Sequence, residues 1–358
     1  MKSLSTKAYV AATLPVQLLG VQILSLFPEG IETYYSNGLY PWTAKAERFV
    51  FSKLPFSFGD IFYGVLVVML IRWVVRIVRK HYTFRQLIIE IGATLAVVYA
   101  FFHLLWGFNY YRQPLHQVMG FGDEYTQSEL ERVTTMLIQR TNKLHGQLQA
   151  NDSLGVVVPY SKAEIFDKTL SAYDNLSRQY PQFTYEQPCI KTSLISLLLS
   201  YMGFSGYLNP ITNEAHVNRL IPTFKYPTTS CHEEAHQLGF AAENEANFIA
   251  ALATTLDTDP YFEYCGTAFA LRFCVNELYR RFPEKGICFI ENIKYGVLCN
   301  YDESRNFWIT YENPVNPVLH SAYDSYLKAN NQGLGLDSYS YVVALLVNYY
   351  KDEVPAAL

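Results

Sequence analysis

Three long apolar segments in the first third of the chain restrict its architecture more than any other feature. They cover residues 9–27, 61–78 and 87–106. The first contains no charged side chain, the second only Arg72 and Arg76, and the third only Glu90 and His103. Each segment is long enough to cross the roughly 30 Å hydrocarbon layer of a bilayer as a helix. We therefore predict three transmembrane helices in a membrane module formed by residues 1–111.

The distribution of Lys and Arg predicts how these helices are oriented. The loop after the second segment holds Arg79, Lys80 and Arg85 without an acidic residue, whereas residues 28–60 have mixed charge. Cytoplasmic loops of membrane proteins are enriched in Lys and Arg, so this loop and the N-terminus are predicted to be cytoplasmic. The third helix then exits on the far side, and residues 112–358 are predicted to form an extracytoplasmic domain.

The second informative feature is an H-E-x-x-H motif formed by His232, Glu233 and His236. Two residues four apart lie on one face of a helix, so both imidazoles can bind the same metal ion. Glu233 would then lie beside a metal-bound water, whose pKa Zn²⁺ lowers to about 7, and could remove its proton. The spacing indicates a catalytic zinc site with Glu233 as its base.

The residues around the motif favour a helix. Pro227 and the hydroxyl residues 228–230 are suitable for a helix N-terminus, and Gly239 is suitable as its stop. An alternative is that Ser230 and Glu233 only form a capping box and that the two histidines have no special role.

Glu243 is the predicted third metal ligand. Catalytic zinc sites use three protein ligands and an open position, and two His with one Glu is a known set. Asn247 shares a helix face with Glu243 and is predicted to hydrogen-bond a ligand histidine. Glu245 remains an alternative ligand if the helix is rotated. Ala242 occupies the place at which metzincins have their third His, so that pattern does not apply.

Residues 112–358 are numerous enough for one domain with a well-buried core. The overall prediction is an α+β protein that is mainly helical and has a small sheet. A β-rich stretch is predicted near 287–299, and an edge strand beside the motif helix, to which an extended peptide could add, is predicted within 203–218. Helices in this part are predicted near residues 126–150, 161–179, 191–202 and 336–350.

Several other residues are weaker candidates. His216 and Arg272 could stabilise an oxyanion, although a surface histidine and an ion-paired arginine are the favoured interpretations. The six cysteines all follow the third segment, where disulfides are possible. Cys231 is predicted to be a buried helix residue. The net charge of −4 argues against nucleic acid as a partner.

The whole chain resembles a family of bacterial membrane-anchored proteins of unknown function that is grouped with the HExxH zinc peptidases. The resemblance implies a gluzincin-like fold in the bacterial inner membrane, with His232 and His236 as ligands, Glu233 as base and Glu243 as third ligand. The chain departs from related peptidases in having Asn247 where they have Asp. The resemblance rests on the three apolar segments and on residues 54–60, 106–112, 231–240, 243–247 and 326–332.

These observations predict a membrane-anchored zinc metallopeptidase with a peptide or protein substrate. Glu233 would take a proton from the attacking water and pass it to the leaving amine. One alternative is a non-catalytic zincin-like sensor or scaffold, against which Glu233 argues because binding alone needs no base. Another is an intramembrane protease, against which the polar residues 228–231 argue, because they place the motif outside the apolar segments.

Overall fold

The computed structural model describes residues 5–80, 82–332 and 339–351 of the chain. Its described part is mainly helical, and it begins with a group of helices that contains the three apolar segments. A π-helical stretch, Glu32–Leu39, connects the second and third of these helices. The helices of this group are α1 (Thr6–Leu24), α2 (Pro28–Ile31), α3 (Tyr40–Phe51), α4 (Phe58–Lys80) and α5 (Phe84–Leu105).

The remaining helices and a small sheet form the globular part. The strands are β1 (Ile190–Thr192), β2 (Gly206–Leu208) and β3 (Ala215–Val217). The helices are α6 (Leu115–Met119), α7 (Gln127–Leu148), α8 (Lys162–Gln179), α9 (Ser196–Met202), α10 (Tyr226–Gln237), α11 (Glu243–Thr255), α12 (Pro260–Arg281), α13 (Pro283–Glu291), α14 (Tyr295–Thr310), α15 (Asn316–Ala329) and α16 (Tyr339–Tyr350).

The prediction of three membrane-spanning helices agrees with the structure. Within the described residues, α1, α4 and α5 are the helices long and apolar enough to cross a bilayer. Almost all of their surface is exposed in the isolated chain, and no residue of the most apolar window of α4 is buried. Exposed surfaces of this length and composition are stable in lipid and not in water. The chain is therefore consistent with a membrane protein.

The core of the globular part surrounds α11. Every residue from Phe248 to Thr255 is buried, and α11 packs against α8, α10, α12 and α16. The four alanines Ala246, Ala250, Ala251 and Ala253 have small side chains that let these neighbours approach closely. The motif helix α10 is thus held directly against a helix in the centre of the core.

The sheet lies beside α10 and has the strand order β1-β3-β2. β3 is parallel to β1 and antiparallel to β2. An edge strand was predicted within residues 203–218. The structure places two strands there, of which β2 is at the edge and β3 is central.

The segment between the first two spans is folded against the globular part. Glu214, in the turn before β3, accepts hydrogen bonds from the backbone N–H groups of Phe58 and Gly59, at the start of α4, at 3.2 and 2.5 Å. Asp60 in the first turn of α4 accepts one from the N–H of Leu194 at 2.7 Å. The start of the second span and the end of the third therefore meet the globular part on the same side of the helices.

Two predicted helix starts are confirmed by capping boxes, in which a hydroxyl and the Glu three residues later exchange hydrogen bonds. Thr126 with Glu129 begins α7, and Ser161 with Glu164 begins α8. Both helices are amphipathic and bury one face in the core.

Three local predictions were wrong or only partly right. The stretch 287–299 is not β-structure but the end of α13 and the start of α14, because Pro283 starts a helix and apolar residues recur at helical spacing. Residues 191–202 form the end of β1 and then α9. The hydroxyl residues 228–230 lie inside α10, whose N-cap is Lys225. The last helix is described from Tyr339, and residues 336–338 of its prediction lie outside the described residues.

Candidate metal centre

Two adjacent helices bring the predicted ligands together. α10 carries His232 and His236 one turn apart, and the chain then reverses through Gly239 so that α11 begins at Glu243. The φ angle of Gly239 is +87°, and an added Cβ would lie 2.9 Å from the Tyr40 ring. Only glycine fits this conformation and this contact. The predicted helix stop at Gly239 is thus confirmed, and it is what turns Glu243 toward the histidines.

The three side chains have a geometry that suits one metal ion. His232 Nε2 lies 3.2 Å from Glu243 Oε2, and His236 Nε2 lies 3.7 Å from Glu243 Oε1. All three ligand atoms lie within 4.8 Å of one another. Donors about 2.1 Å from a tetrahedral zinc ion would be roughly 3.4 Å apart. The spacing present in the chain is therefore close to the spacing that such an ion needs.

Neighbouring groups fix the orientation of each candidate ligand. His236 Nδ1 hydrogen-bonds the carbonyl oxygen of Phe240 at 2.7 Å, which leaves Nε2 free to face Glu243. The side chain of Asn247 hydrogen-bonds His232, as the sequence predicted. The hydroxyl of Tyr323 donates to Glu243 Oε1 at 2.7 Å. Supporting hydrogen bonds of this kind are typical of metal sites, because they set the tautomer and direction of each ligand.

The charges of the three groups are strongly coupled. Burial opposes ionisation of Glu243, but the hydrogen bond from His232 and the two nearby imidazoles hold the pKa of Glu243 at about 2. Burial lowers the pKa of His236 to about 4. For His232, burial acts to lower the pKa, yet the Glu243 carboxylate raises it. The cluster thus presents a carboxylate and one neutral imidazole near neutral pH.

Glu233 lies next to this cluster with an unsatisfied oxygen. Its side chain is buried, and Oε2 has no hydrogen-bond partner among the described residues. Burial raises the pKa of Glu233 to about 8, with His232 acting to lower it and Glu243 to raise it. An added Cβ on Gly206 of β2 would lie 2.5 Å from Glu233 Oε1, so glycine is needed for the strand to approach this carboxylate.

Glu245, the alternative ligand, lies elsewhere. Its Oε1 accepts a hydrogen bond from the backbone N–H of Leu115 at 2.6 Å, at the start of α6. Burial raises the pKa of Glu245 to about 7. Glu245 therefore supports the fold on the opposite side of α11, and the structure brings Glu243 to the histidines.

The cluster opens into a large cavity of about 1020 Å³. One wall comes from two of the long apolar helices, through Tyr63 of α4 and Phe102 of α5, and another from β2. Tyr323 and Tyr326 of α15 line a further side. The volume is sufficient for a peptide segment or another molecule of that size.

The two oxyanion candidates have different surroundings. His216 is fully buried on β3, stacks on Tyr207 and hydrogen-bonds Ser57, and it does not line the cavity. Its position indicates a structural role, although not at the surface as the sequence suggested. Arg272 does line the cavity. The ion pair expected for Arg272 is absent within the described residues.

A family model decides the relationship of the chain to known sequences. The model described as "protein of unknown function (DUF3810)" matches residues 35–347, which include both site helices and the second and third spans. The chain belongs to the DUF3810 family. No curated protein and no solved structure matches it. The predicted grouping of this family with HExxH peptidases receives no support from these comparisons and stays a prediction.

The DUF3810 chain supports the C-terminal end of α10 with residues that precede the globular part. Tyr40 and Arg48 of α3 donate to the carbonyl oxygen of Gln237 at 3.0 and 3.1 Å. Arg112 donates to the carbonyl oxygen of Gly239 at 3.0 Å and forms a buried two-contact ion pair with Glu32. The turn between the motif histidines and Glu243 is therefore held by α3 and by Arg112, which follows α5 and is paired with Glu32.

Sequence reasoning missed several of these residues. Tyr323 lies in none of the quoted motifs, although it is one helical turn before Tyr326, which begins one of them. Gln332, which ends that motif, hydrogen-bonds the backbone of Ala241 and Glu243 at 3.3 and 3.5 Å and so supports the start of α11. The only sequence signal for these roles was that the family resemblance included both Tyr326–Gln332 and the HExxH stretch.

All six cysteines of the DUF3810 chain are free. Cys231 is fully buried on α10, as predicted. Its neighbours Tyr173 and Glu234 are buried as well, and Tyr173 donates a 2.6 Å hydrogen bond to the Cys231 carbonyl oxygen. Cys231 is thus part of the packing behind the metal-ligand face.

Proposed function

We propose that this protein is a membrane-anchored zinc metallopeptidase that hydrolyses peptide bonds outside the cytoplasm. The observation that carries the proposal is the convergence of His232, His236 and Glu243 beside the buried, unsatisfied carboxylate of Glu233. All four line one large cavity. A structural zinc site would use four protein ligands, whereas this set offers three and leaves a position open toward the cavity.

The donor set fits zinc. Two imidazole nitrogens and one carboxylate oxygen form a known catalytic zinc set, and the distances between them suit a tetrahedral ion. Bound there, Zn²⁺ would supply a Lewis acid that acidifies water and polarises a carbonyl group. Tyr323 and Asn247 would keep two of the ligands in place during turnover.

Glu233 would act as general base and then as general acid. A residue in this role must be close to the attacking water and have a pKa near the working pH. Burial is the main cause that holds the pKa of Glu233 at about 8, and a nearby divalent cation would lower it because an opposite charge favours the ionised form. Its unpartnered Oε2 is free to accept a proton from water and to return it to the leaving amine.

The arrangement around α10 supports a zincin-like, specifically gluzincin-like, domain in residues 112–358. The third ligand comes from the helix that follows the HExxH helix, and the edge strand β2 runs beside the site. The backbone of β2 pairs with β3 on one side only, and residues Ser205 to Leu208 line the cavity. An extended substrate peptide would add to the free edge of β2 and pass its carbonyl group across the metal.

The proposed side of the membrane comes from charge. The contacts of α4 and α5 put the globular part opposite the loop that contains Arg79 and Arg85. That basic loop is expected in the cytoplasm, so the globular part would face the exterior of a bacterial inner membrane. Lipid and a peptide or protein substrate are then the partners of the protein.

A comparison of extracellular peptides tests this function in cells. Peptide profiles are recorded for wild-type cells, deletion cells, and cells that carry Glu233→Gln or His232→Ala. A peptidase predicts that both variants match the deletion. If Glu233→Gln behaves as wild type while His232→Ala does not, zinc has a structural role and the protein is a sensor or scaffold instead.

A further inference from the structure

Two basic side chains share the cavity with the candidate metal site. Lys225, the N-cap of α10, and Arg272 of α12 both line the cavity. No acidic side chain among the described residues forms an ion pair with either of them. The acidic residues that line the cavity, Glu233 and Glu243, belong to the metal cluster. The cavity therefore has two basic groups with no acidic side chain of the described residues paired with them.

The surroundings of Lys225 and Arg272 make it energetically unfavourable for these side chains to lack a counter-charge. The guanidinium carbon of Arg272 lies 5.7 and 5.6 Å from the ring centres of Phe269 and Phe273. Burial, together with the smaller effect of the nearby Arg272, lowers the pKa of Lys225 to about 7. Cations removed from water in this way are stabilised by an anion, which is absent from the described residues.

A third polar group points to the same place. A small recess of about 10 Å³ adjoins the cavity and shares Lys225, Thr228 and Arg272 with it. Ser304 lines this recess, and its buried hydroxyl oxygen has no hydrogen-bond partner within the described part of the chain. The recess has room for about one oxygen atom or one water molecule. An oxygen of a bound anion would satisfy Ser304 and neutralise the two cations together.

The helix sets the distance between this pair and the metal ligands. Lys225, Thr228, Thr229, His232 and His236 all line the cavity and follow one another along α10. Lys225 precedes His232 by seven residues, which is about 10 Å at 1.5 Å per residue. An extended peptide advances about 3.3 Å per residue, so this distance corresponds to roughly three residues of substrate.

We propose that Lys225, Arg272 and Ser304 form an anion subsite that binds a carboxylate of the substrate about three residues from the cleaved bond. This inference rests on the proposed peptidase function and adds its substrate class, which is acidic peptides. The carboxylate comes either from an Asp or Glu side chain or from the C-terminus of the peptide. Both sources offer the same planar pair of oxygens, which the fork of an arginine matches.

The experiment uses the zinc-loaded full chain in detergent and a mixture of synthetic octapeptides. The peptides are made in pairs that differ by Glu or Gln at one position, and each pair has a free and an amidated C-terminus. Mass spectrometry of the products gives the Glu-to-Gln and the carboxylate-to-amide cleavage ratios. The Glu233→Gln chain is mixed with the same peptides, and those that it retains are identified, which measures binding without turnover.

We expect a preference of at least about tenfold either for Glu over Gln or for the free over the amidated C-terminus. The preference should appear both in cleavage by wild type and in retention by Glu233→Gln. Arg272→Gln and Lys225→Gln should each reduce the preference by about tenfold, the factor that corresponds to about 1.4 kcal/mol. Arg272→Lys keeps the charge and should restore most of it. Arg280→Gln is the matched control, because Arg280 lies on the same helix with a side chain that is 66% exposed and is paired with Glu277.

The possible results of this experiment distinguish failure of the anion subsite from failure of the proposed peptidase function. If Glu233→Gln retains acidic peptides only when Arg272 is present, and wild type cleaves no peptide, the anion subsite is supported and the peptidase function is rejected. Cleavage with no acidic preference rejects the subsite and leaves the peptidase standing. Equal effects of Arg272→Gln and Arg280→Gln also reject the subsite, and zinc content confirms that each variant is folded.

Discussion

Glu243 and Glu245 lie in different surroundings on two sides of α11, although only one residue separates them. Glu243 faces two imidazoles and the cavity, while Glu245 accepts a backbone hydrogen bond at the start of α6. We expect one zinc ion per wild-type chain, and a loss of at least about tenfold in zinc affinity for Glu243→Ala. Metal analysis of the purified full chain measures this. Glu245→Gln is the matched control, and zinc that survives Glu243→Ala but is lost in Glu245→Gln would reverse the ligand assignment.

His216 gives a prediction about pH. Burial lowers its pKa from 6.5 to about 4 in the folded chain. Between these two pH values the unfolded chain binds a proton that the folded chain does not, so stability falls as the pH falls. The full effect is about 3 kcal/mol at 1.36 kcal/mol per pKa unit. Thermal unfolding of wild type and His216→Gln from pH 7 to pH 4 checks this.

The comparison with His216→Gln isolates this histidine, because both proteins share every other titrating group. We expect the melting temperature of wild type to fall more steeply than that of the variant below pH 6.5. Parallel curves would show that protonation of His216 contributes nothing to acid sensitivity.

At the residue scale, the sequence predicted what local spacing determines. The pair His232 and His236 is one helical turn apart, and this spacing can be recognised in any chain. Lys225 is the N-cap of α10, but its cavity partner Arg272 is 47 positions away on another helix, and nothing in the spacing connects them. Tyr323 likewise reaches Glu243 only because α15 folds back onto the site.

At the element scale, the turn between α10 and α11 depends on a buried ion pair. Arg112 and Glu32 are both almost fully buried, and Arg112 also holds the carbonyl oxygen of Gly239. Removal of one partner from such a pair costs about 3–5 kcal/mol, because the other charge stays buried without compensation. We expect Arg112→Gln to lower the melting temperature strongly and to reduce zinc occupancy.

Two further variants test the reason for that loss. Arg112→Gln with Glu32→Gln leaves no uncompensated charge and should recover part of the stability. Arg140→Gln removes a half-exposed ion pair with Glu263, for which about 0–1 kcal/mol is expected. Equal losses for Arg112→Gln and Arg140→Gln, with zinc retained in both, would contradict the role of Arg112 in the turn.

Elements with a clear period or a clear boundary were predictable. The apolar segments predicted α1, α4 and α5, and the helices predicted near residues 126–150 and 161–179 correspond to α7 and α8. Residues 28–60, which have mixed charge, were predicted to be a loop between the first two apolar segments, but they contain α2, a π-helical stretch and α3. The contacts of this segment explain why its structure was not recognised in the sequence. Arg48 hydrogen-bonds Asn213 and Gln237, which are 165 and 189 positions away. Partners so distant leave no local pattern.

At the scale of the whole molecule, the membrane helices and the globular part build the cavity together. Tyr63 and Phe102 come from the apolar helices α4 and α5, and they line the same cavity as the candidate metal cluster. If these helices span a bilayer as proposed, the site lies close to its surface on the side to which the globular part is attached. The positive charge around Arg79 and Arg85 predicts that this side is extracytoplasmic.

A reporter that is active only outside the cytoplasm tests this orientation. Fused to the C-terminus of the full chain, it should be active, and inserted after residue 80, it should be silent. The reverse pattern would place the cavity in the cytoplasm. The proposed extracytoplasmic substrate would then be wrong, while the metal centre itself would be unaffected.

The most direct test of the central claim compares wild type with Glu233→Gln on zinc-dependent peptide cleavage by the full chain in detergent. The substitution keeps the size of the side chain and all three ligands but removes the base. The account predicts one zinc ion in both proteins, cleavage by wild type that a chelator abolishes and zinc restores, and a rate about 10²–10⁴-fold lower in the variant. Equal cleavage rates at equal zinc content, or a wild-type chain that binds no zinc, would contradict it.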